Sequence, residues 1–362
     1  DASPVFFFFY ILHGSGENIY SYLNSNPVVQ NCFIAYSTNR GIQCYSSSGI
    51  TVSGSTVRDN SGYGLWHRGS ASVTVTDTSF INNSYGIYCN SSSDMLTASG
   101  CSFADNTGYP VYIYGRYVGN ISGCTFDNKG SERIYVVGDT LSTDSYLENS
   151  APYYIAGDIT VQGASGDDSV TTLELENGSE LYFASGAGIT VGHNSDSDLP
   201  GALKALGTAF KPVVFTSAND YPSPGAWDGL YFSSFADDAK CRLEYCRVLY
   251  GGRNIYCNVS APTVVRSKLF YSSNSNLYCN GASHPVIEHC EIAHGNSYGV
   301  RLSGSGSLAN ISDSDIHHNG SYGIYVHNSS TVTVVNSTIR YNNYGIYCNS
   351  STDGAEAAGC SF

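Results

Sequence analysis

The chain has 362 residues, with 30 Asp and Glu against 16 Lys and Arg and a formal net charge of −14. Such an acidic surface disfavours nucleic acid and anionic membranes, and no stretch reaches the roughly 18 apolar residues of a membrane-spanning helix. Charged residues are 13%, Met occurs once, and Gly (39) and Tyr (30) are abundant, so the composition favours strands and turns over helices.

No Met opens the chain, and Asp1 is read as a processed terminus or an arbitrary cut. The most apolar run, "VFFFFYIL" (Val5 to Leu12), lacks the basic flank and small-residue cleavage site of a signal peptide and is read as a strand. A short period then sets in. Gly41, Gly64 and Gly86 open the phrases "GIQC", "GLWH" and "GIYC", at spacings of 23 and 22. Alternating segments such as "VTVTDTSF" (Val73 to Phe80) lie between them, bounded by Asn, Ser and Gly turns. A unit of two or three such strands cannot bury its apolar face alone and must stack on copies of itself.

From about residue 137 the pattern changes to "GDITVQG" (Gly157 to Gly163), "LELENGSELYFASGAGITVG" (Leu173 to Gly192), "GALKALGTAFKPVVFTSAND" (Gly201 to Asp220) and "WDGLYF" (Trp227 to Phe232). After "LEYCRVLYGG" (Leu243 to Gly252), Gly299, Gly323 and Gly345 carry the short period again, at spacings of 24 and 22. A longer period lies over it. Gly345 repeats Gly86 at an offset of 259, and "PVIEHCEIAH" (Pro285 to His294) repeats "PVVQNCFIAY" (Pro27 to Tyr36) at 258. "GRNIY" (Gly252 to Tyr256) repeats "GENIY" (Gly16 to Tyr20) at 236, a drop of 22 that gives the later copy one extra coil. The same register sets "RLEY" (Arg242 to Tyr245) against Phe6 to Phe9.

A coil period of about 22–24 with an "N-x-x-x-G-I-x" phrase resembles the right-handed parallel β-helix, an all-β solenoid, over nearly the whole chain. Leucine-rich repeats share the period, but their Leu-x-x-Leu-x-Leu pattern is missing. The middle phrases resemble the opening of tandem β-helix modules in secreted and surface proteins of bacteria and archaea. That resemblance implies an extracellular or cell-surface location and no particular chemistry. On this reading residues 1–136 are the closing coils of one module. Residues 137–362 are a second, with an opening section at 137–239 and regular coils at 240–362.

Ten of the twelve cysteines fall into two columns. "YCN" recurs at Cys89, Cys257, Cys279 and Cys348, while Cys32, Cys101, Cys124, Cys246, Cys290 and Cys360 each precede an inward apolar residue by two and so point inward. The spacing is 23 from Cys101 to Cys124 and 22 from Cys257 to Cys279, one coil in each case. Coils about 4.8 Å apart put such pairs inside the roughly 4.4–6.8 Å disulfide range. These four are disulfide candidates in an extracellular setting; a ladder of buried thiols is the other reading.

The enzyme motifs of β-helix families are missing: no "NTD", "GHG" or "RIK" of polygalacturonases, no "DPH" of alginate epimerases, no "DFIFG" of pectin methylesterases. Asp196 and Asp198 in "HNSDSD" read as a solvated turn, and Asp237 and Asp238 as a weak pair. His317 and His318, near Asp313 and Asp315, are adjacent on a strand, which would point them to opposite faces and keep them from sharing a metal. No catalytic residue, metal site or cofactor is assigned. Sequons at Asn82, Asn90, Asn120, Asn177, Asn258, Asn310, Asn319, Asn328, Asn336 and Asn349 are glycosylation candidates, although Asn also stacks in coil turns for its own hydrogen bonds.

No polar capping coil is evident at either end. The leading expectation is therefore a non-enzymatic extracellular structural protein, a fibre, sheath or adhesin joined end to end with further copies of itself. Glycans are its other expected partners. The alternative is a polysaccharide-binding or polysaccharide-degrading β-helix, to which the 30 Tyr lend weight.

Overall fold

A computed structural model describes residues 3–164 and 169–362, and Asp1 lies outside them. Two compact units are present: Asp1–Asp139 with Ser150–Tyr154, and Thr140–Asn149 with Ile155–Phe362. Short strands pair in parallel with their counterparts one coil away, and Gly115–Asn120 is the only helical segment among the described residues. The fold is an all-β right-handed parallel β-helix.

One coil of the first unit shows how the residues produce this. Val73–Thr76, Ser79–Ile81 and Tyr85–Cys89 are strands, with Asp77 (φ 48°) and Asn82 (φ 51°) in the two bends between them. A left-handed residue re-aims the chain, and Gly, Asn and Asp reach that region at least cost. Asn31, Gly54, Asp77, Gly100 and Gly123 hold the first bend in successive coils. Each strand then meets its neighbour in register: Val75 beside Ala98, Phe80 beside Phe103, Tyr88 beside Tyr112.

Equivalent inward positions therefore stack. The rings of Phe80, Phe103 and Phe126 follow one another at 5.3 and 5.2 Å, within 9° and 5° of parallel. Ile19, Ile42, Leu65, Ile87 and Val111 form another buried column. Crowding explains the glycine of the repeated phrase: a Cβ on Gly86 would stand 2.5 Å from the Phe103 ring and 2.5 Å from the Pro110 carbonyl oxygen. In the second unit Trp227 is fully buried. It stacks on Phe183 at 4.2 Å and donates its indole N–H to the Leu249 carbonyl at 2.7 Å.

Buried asparagines join the coils just past the second bend, where strand pairing is interrupted. The side-chain oxygens of Asn83, Asn106 and Asn128 accept the backbone N–H of Asn60, Asn83 and Asn106 at 3.2, 3.0 and 2.8 Å. The side-chain amides of Asn83 and Asn106 donate to the carbonyls of Val57 and Phe80. Asn254, Asn276, Asn319 and Asn342 form the matching ladder in the second unit.

The phenylalanine run departs from the single strand expected. Val5–Phe7 and Tyr10–Leu12 are two strands on either side of a bend at Phe8 (φ 59°). Tyr245 makes the equivalent bend (φ 48°), so Phe8, not Phe9, stands where Tyr245 does.

Asn83→Ala leaves the Asn60 N–H and the Val57 carbonyl without their side-chain partners. Its expected cost is about 2 kcal/mol or more in chemical denaturation, against about 0.5 kcal/mol or less for the exposed Thr97→Ala. Equal effects of the two would show that the ladder does not tie the coils together.

Two ionisable groups in the first unit's core make a second prediction. His67 is fully buried between Cys44 and Cys89 of the neighbouring coils, and burial pulls its pKa down to about 4. Burial likewise pushes the Asp94 carboxyl up to about 6, although it accepts the Gly69 and Ser91 N–H groups at 2.7 and 2.8 Å. The two signs oppose each other. His67 is depressed in the fold, so up to about 3 kcal/mol of stability is lost as pH falls from its unfolded value toward 4. Asp94 is raised in the fold, so a similar amount is gained as pH falls from about 6 toward its unfolded value. Asp94→Asn should therefore unmask a steeper loss of melting temperature between pH 6.5 and 4 than the wild type shows. Parallel pH profiles for the two proteins would refute the assignment.

Candidate functional site

The outward side of one sheet in each unit is paved with tyrosine. In the first unit Tyr63–Gly69, Tyr85–Cys89, Val111–Tyr114 and Ile134–Val137 turn aliphatic residues inward and aromatic ones outward. Coils repeat at the spacing of stacked rings. Tyr63 and Tyr88 are thus 4.6 Å apart, Tyr88 and Tyr112 4.5 Å, and Tyr112 and Tyr135 4.4 Å. Burial and neighbouring phenols push the Tyr112 hydroxyl up to about 12. Arg40 lies 4.2 Å from the Trp66 ring and is paired with Glu17 at 2.6 Å.

In the second unit the face runs over Gly229–Phe232, Arg253–Asn258, Ser275–Asn280, Tyr298–Ser303, Tyr322–His327 and Tyr344–Cys348. Tyr231, Tyr256 and Tyr278 follow one another at 5.0 and 4.8 Å, and Tyr298, Tyr322 and Tyr344 at 5.5 and 5.1 Å. A row of amides borders the rings: Asn280 donates to Asn258 at 2.9 Å, and Asn258 donates to the Tyr231 hydroxyl at 3.0 Å. Where this row starts, a cleft of about 540 Å³ is lined by Asp158, Asp228, Tyr231, Arg253 and Tyr256 among others. Burial pushes the Asp158 carboxyl up and the Asp228 charge adds to the rise, while the Gly188 N–H, donated to it at 3.0 Å, opposes them. A regular strip of phenols, amides and ring edges suits an extended polymer whose own polar groups repeat.

A second cluster corrects the reading of His317 and His318. His317 ends the strand Asp315–His317, but His318 takes a left-handed φ of 54°, and their Nδ1 atoms meet at 2.8 Å. The bend removes the strand alternation that would have separated them. His317 Nε2 lies 3.2 Å from a Glu291 oxygen, Glu291 pairs with Lys268 at 2.7 Å, and Asp315 pairs with Arg340 at 2.6 Å. Burial raises the Glu291 carboxyl, but Lys268 and His317 outweigh it and hold the group below its ordinary value. Each carboxylate already has a cation, and among the described residues no group of three or more His, Cys, Asp or Glu is placed to hold a metal ion.

The other expected residues fall as follows. Asp196 caps its own turn by accepting the Asp198 N–H at 3.1 Å. Asp237 pairs with Lys240 at 3.8 Å, and Asp238 accepts the Ala261 N–H at 2.6 Å. Cys101 and Cys124 lie in neighbouring coils, Cys257 and Cys279 are register partners, and all four are buried thiols. Cys32, Cys101, Cys124, Cys246 and Cys290 are buried as expected, and their column also contains Ser55, Ser267, Ser314 and Ser337. The shared task is to donate to the carbonyl two residues back: Cys32 to Gln30 at 3.3 Å, Ser55 to Ser53 at 2.9 Å.

Among the sequons, Asn82, Asn120, Asn310, Asn328, Asn336 and Asn349 are exposed, and Asn90, Asn177 and Asn258 are half-buried. Asn319 is a correction. It is 3% exposed and its amide is committed to the ladder, bonded to Asn342 at 3.0 Å and to the His317 carbonyl at 3.2 Å, so it offers no nitrogen to a glycan.

Asp158, Asp228, Arg253 and Arg301 were not singled out from the sequence. The two aspartates stand in the quoted phrases "GDITVQG" and "WDGLYF", and the arginines occupy outward positions of the strands that carry the tyrosines.

The chain belongs to the family described as the right handed beta helix region, whose model matches residues 9–155 and 225–362. That family includes both enzymes and non-enzymes. Comparison with curated proteins and with solved structures gave no match. No helix among the described residues is long and apolar enough to cross a membrane.

Proposed function

We propose that this chain is a non-enzymatic structural β-helix, a module of an extracellular fibre, sheath or adhesin, and that its tyrosine faces are where it holds carbohydrate. The observation that carries the reading is the row of half-buried rings Tyr231, Tyr256 and Tyr278 at the coil repeat, bordered by Asn258 and Asn280. Aromatic surface fixed in advance costs little ordering on binding. End-to-end association with further copies belongs to the same proposal. The cleft holding Asp158 and Asp228 favours a second reading, polysaccharide cleavage, since paired carboxylates with one raised pKa serve acid–base chemistry.

One set of measurements separates the readings. The full chain should be retained on immobilised polysaccharide without shortening it, with about tenfold or more weaker retention for Tyr256→Ala/Tyr322→Ala. Native material should form fibres or sheaths in electron micrographs. Absence of retention would remove the carbohydrate reading, and chain shortening lost in Asp228→Asn would establish the enzyme instead.

The extracellular part of the proposal has its own test. In an oxidising compartment, stacked thiols one coil apart are placed to close. Non-reducing peptide mapping of native material should find Cys101 linked to Cys124 or Cys257 to Cys279. Complete alkylation of all twelve cysteines without reductant would sink it.

A further inference from the structure

Arg253 and Arg301 stand on the tyrosine face of the second unit, in the strands Arg253–Asn258 and Tyr298–Ser303. Their guanidinium carbons lie 4.9 and 5.0 Å from the centre of the same ring, that of Tyr278. Arg253 is also 5.1 Å from Tyr256, and Arg301 is 5.3 Å from Tyr298. Two like charges are thus held no more than about 10 Å apart, where they repel.

Among the described residues no carboxylate is paired with either. Nine other Lys or Arg residues have an ion pair with a carboxylate, and among the described residues neither Arg253 nor Arg301 does. Arg40 supplies the contrast, stacked on an indole in the same manner but paired with Glu17. Asp228 sits beside Arg253 in the preceding coil, where its carbonyl accepts the Arg253 N–H at 3.4 Å, yet the two side chains form no ion pair. Carboxylates outnumber cations by 14 in this chain, so partners for these two were not in short supply. Contact with the rings holds both guanidinium groups in place, each with a buried Nε that has no hydrogen-bond partner, and leaves the terminal N–H groups to meet an external oxyanion.

We propose that Arg253 and Arg301 form an anion clamp about Tyr278 that selects an acidic polysaccharide, one whose carboxylates or sulfates repeat along the chain. The arginines take the acid groups, and the Asn258–Asn280 row beside them takes hydroxyls. The inference rests on the carbohydrate reading above and narrows it to one substrate class.

The test uses the full chain, with polygalacturonate and an uncharged glucan as probes in affinity electrophoresis at about 0.05 and 0.5 M salt. Polygalacturonate should retard the protein at low salt and release it at high salt. Arg253→Ala/Arg301→Ala should weaken that retardation about tenfold or more and remove most of its salt dependence. The Lys double variant keeps the charge without the planar fork; it should bind with intermediate strength and stands in if the Ala variant fails to fold. Glucan binding without polygalacturonate binding overturns the clamp and leaves the carbohydrate reading intact. Binding of neither probe removes both. Polygalacturonate binding that is equal in the wild type and both arginine variants overturns the clamp alone.

Discussion

The amide of Ile87 donates to the carbonyl of Pro110 at 2.9 Å, and the amide of Thr125 donates to that of Cys101 at 2.9 Å, so backbone bonds in this chain join residues one coil apart. Among the described residues no strand has a partner nearby in sequence. Closing a coil costs loop entropy that the coil cannot recover alone, and it is recovered only when the next coil lies on top in register. Coil length is therefore held nearly constant throughout the regular coils. The left-handed bends at Asn31, Gly54, Asp77, Gly100 and Gly123 recur at that interval because a misplaced bend would turn a strand inside out.

Stacking in register also places each side chain against its own counterpart, and residue types differ in how well they bear this. Phenylalanine on phenylalanine packs well, as Phe80, Phe103 and Phe126 do. Asparagine on asparagine is complementary, since each amide donates on one side and accepts on the other. Charge on like charge is not, and Lys268 meets Glu291 at 2.7 Å and Glu174 meets Lys204 at 3.8 Å, although Arg247 also lies in register beside Lys268 and Arg242 beside Lys204. Arg253 and Arg301, on the most aromatic strip of the second unit, have no opposite charge paired with them among the described residues.

The coil, its length and its inward columns could be read from the sequence because the period acts on every residue at once. The bends were harder. In the second unit Tyr250, Tyr271, His294, His318 and Tyr341 are left-handed, and none of them is the Gly, Asn or Asp that bends the first unit's chain at Asn31, Gly54, Asp77, Gly100 and Gly123. Their rings stack along the corner at 4.9, 5.1, 5.4 and 4.9 Å, and that ladder offsets the strain. Strand alternation applied across such a bend put His317 and His318 on opposite faces, and the sequon at Asn319 gave no sign of its buried ladder role. The tyrosines of the candidate site were countable but not placeable. Asp158 and Asp228 were visible as letters, yet alternation says only that a residue faces outward, not that the outside is concave there.

The direction of the bonds between coils has a mechanical consequence. They run along the stack, while the strands lie across it. Within either unit, tension along the stack falls on the bonds of one coil at a time, so coils open in succession at low force. Tension along a strand loads all of that strand's bonds together in shear and meets far more resistance. Each coil that opens frees about 80 Å of contour and leaves the next coil's ladder intact. A unit built this way takes up load by lengthening in equal steps.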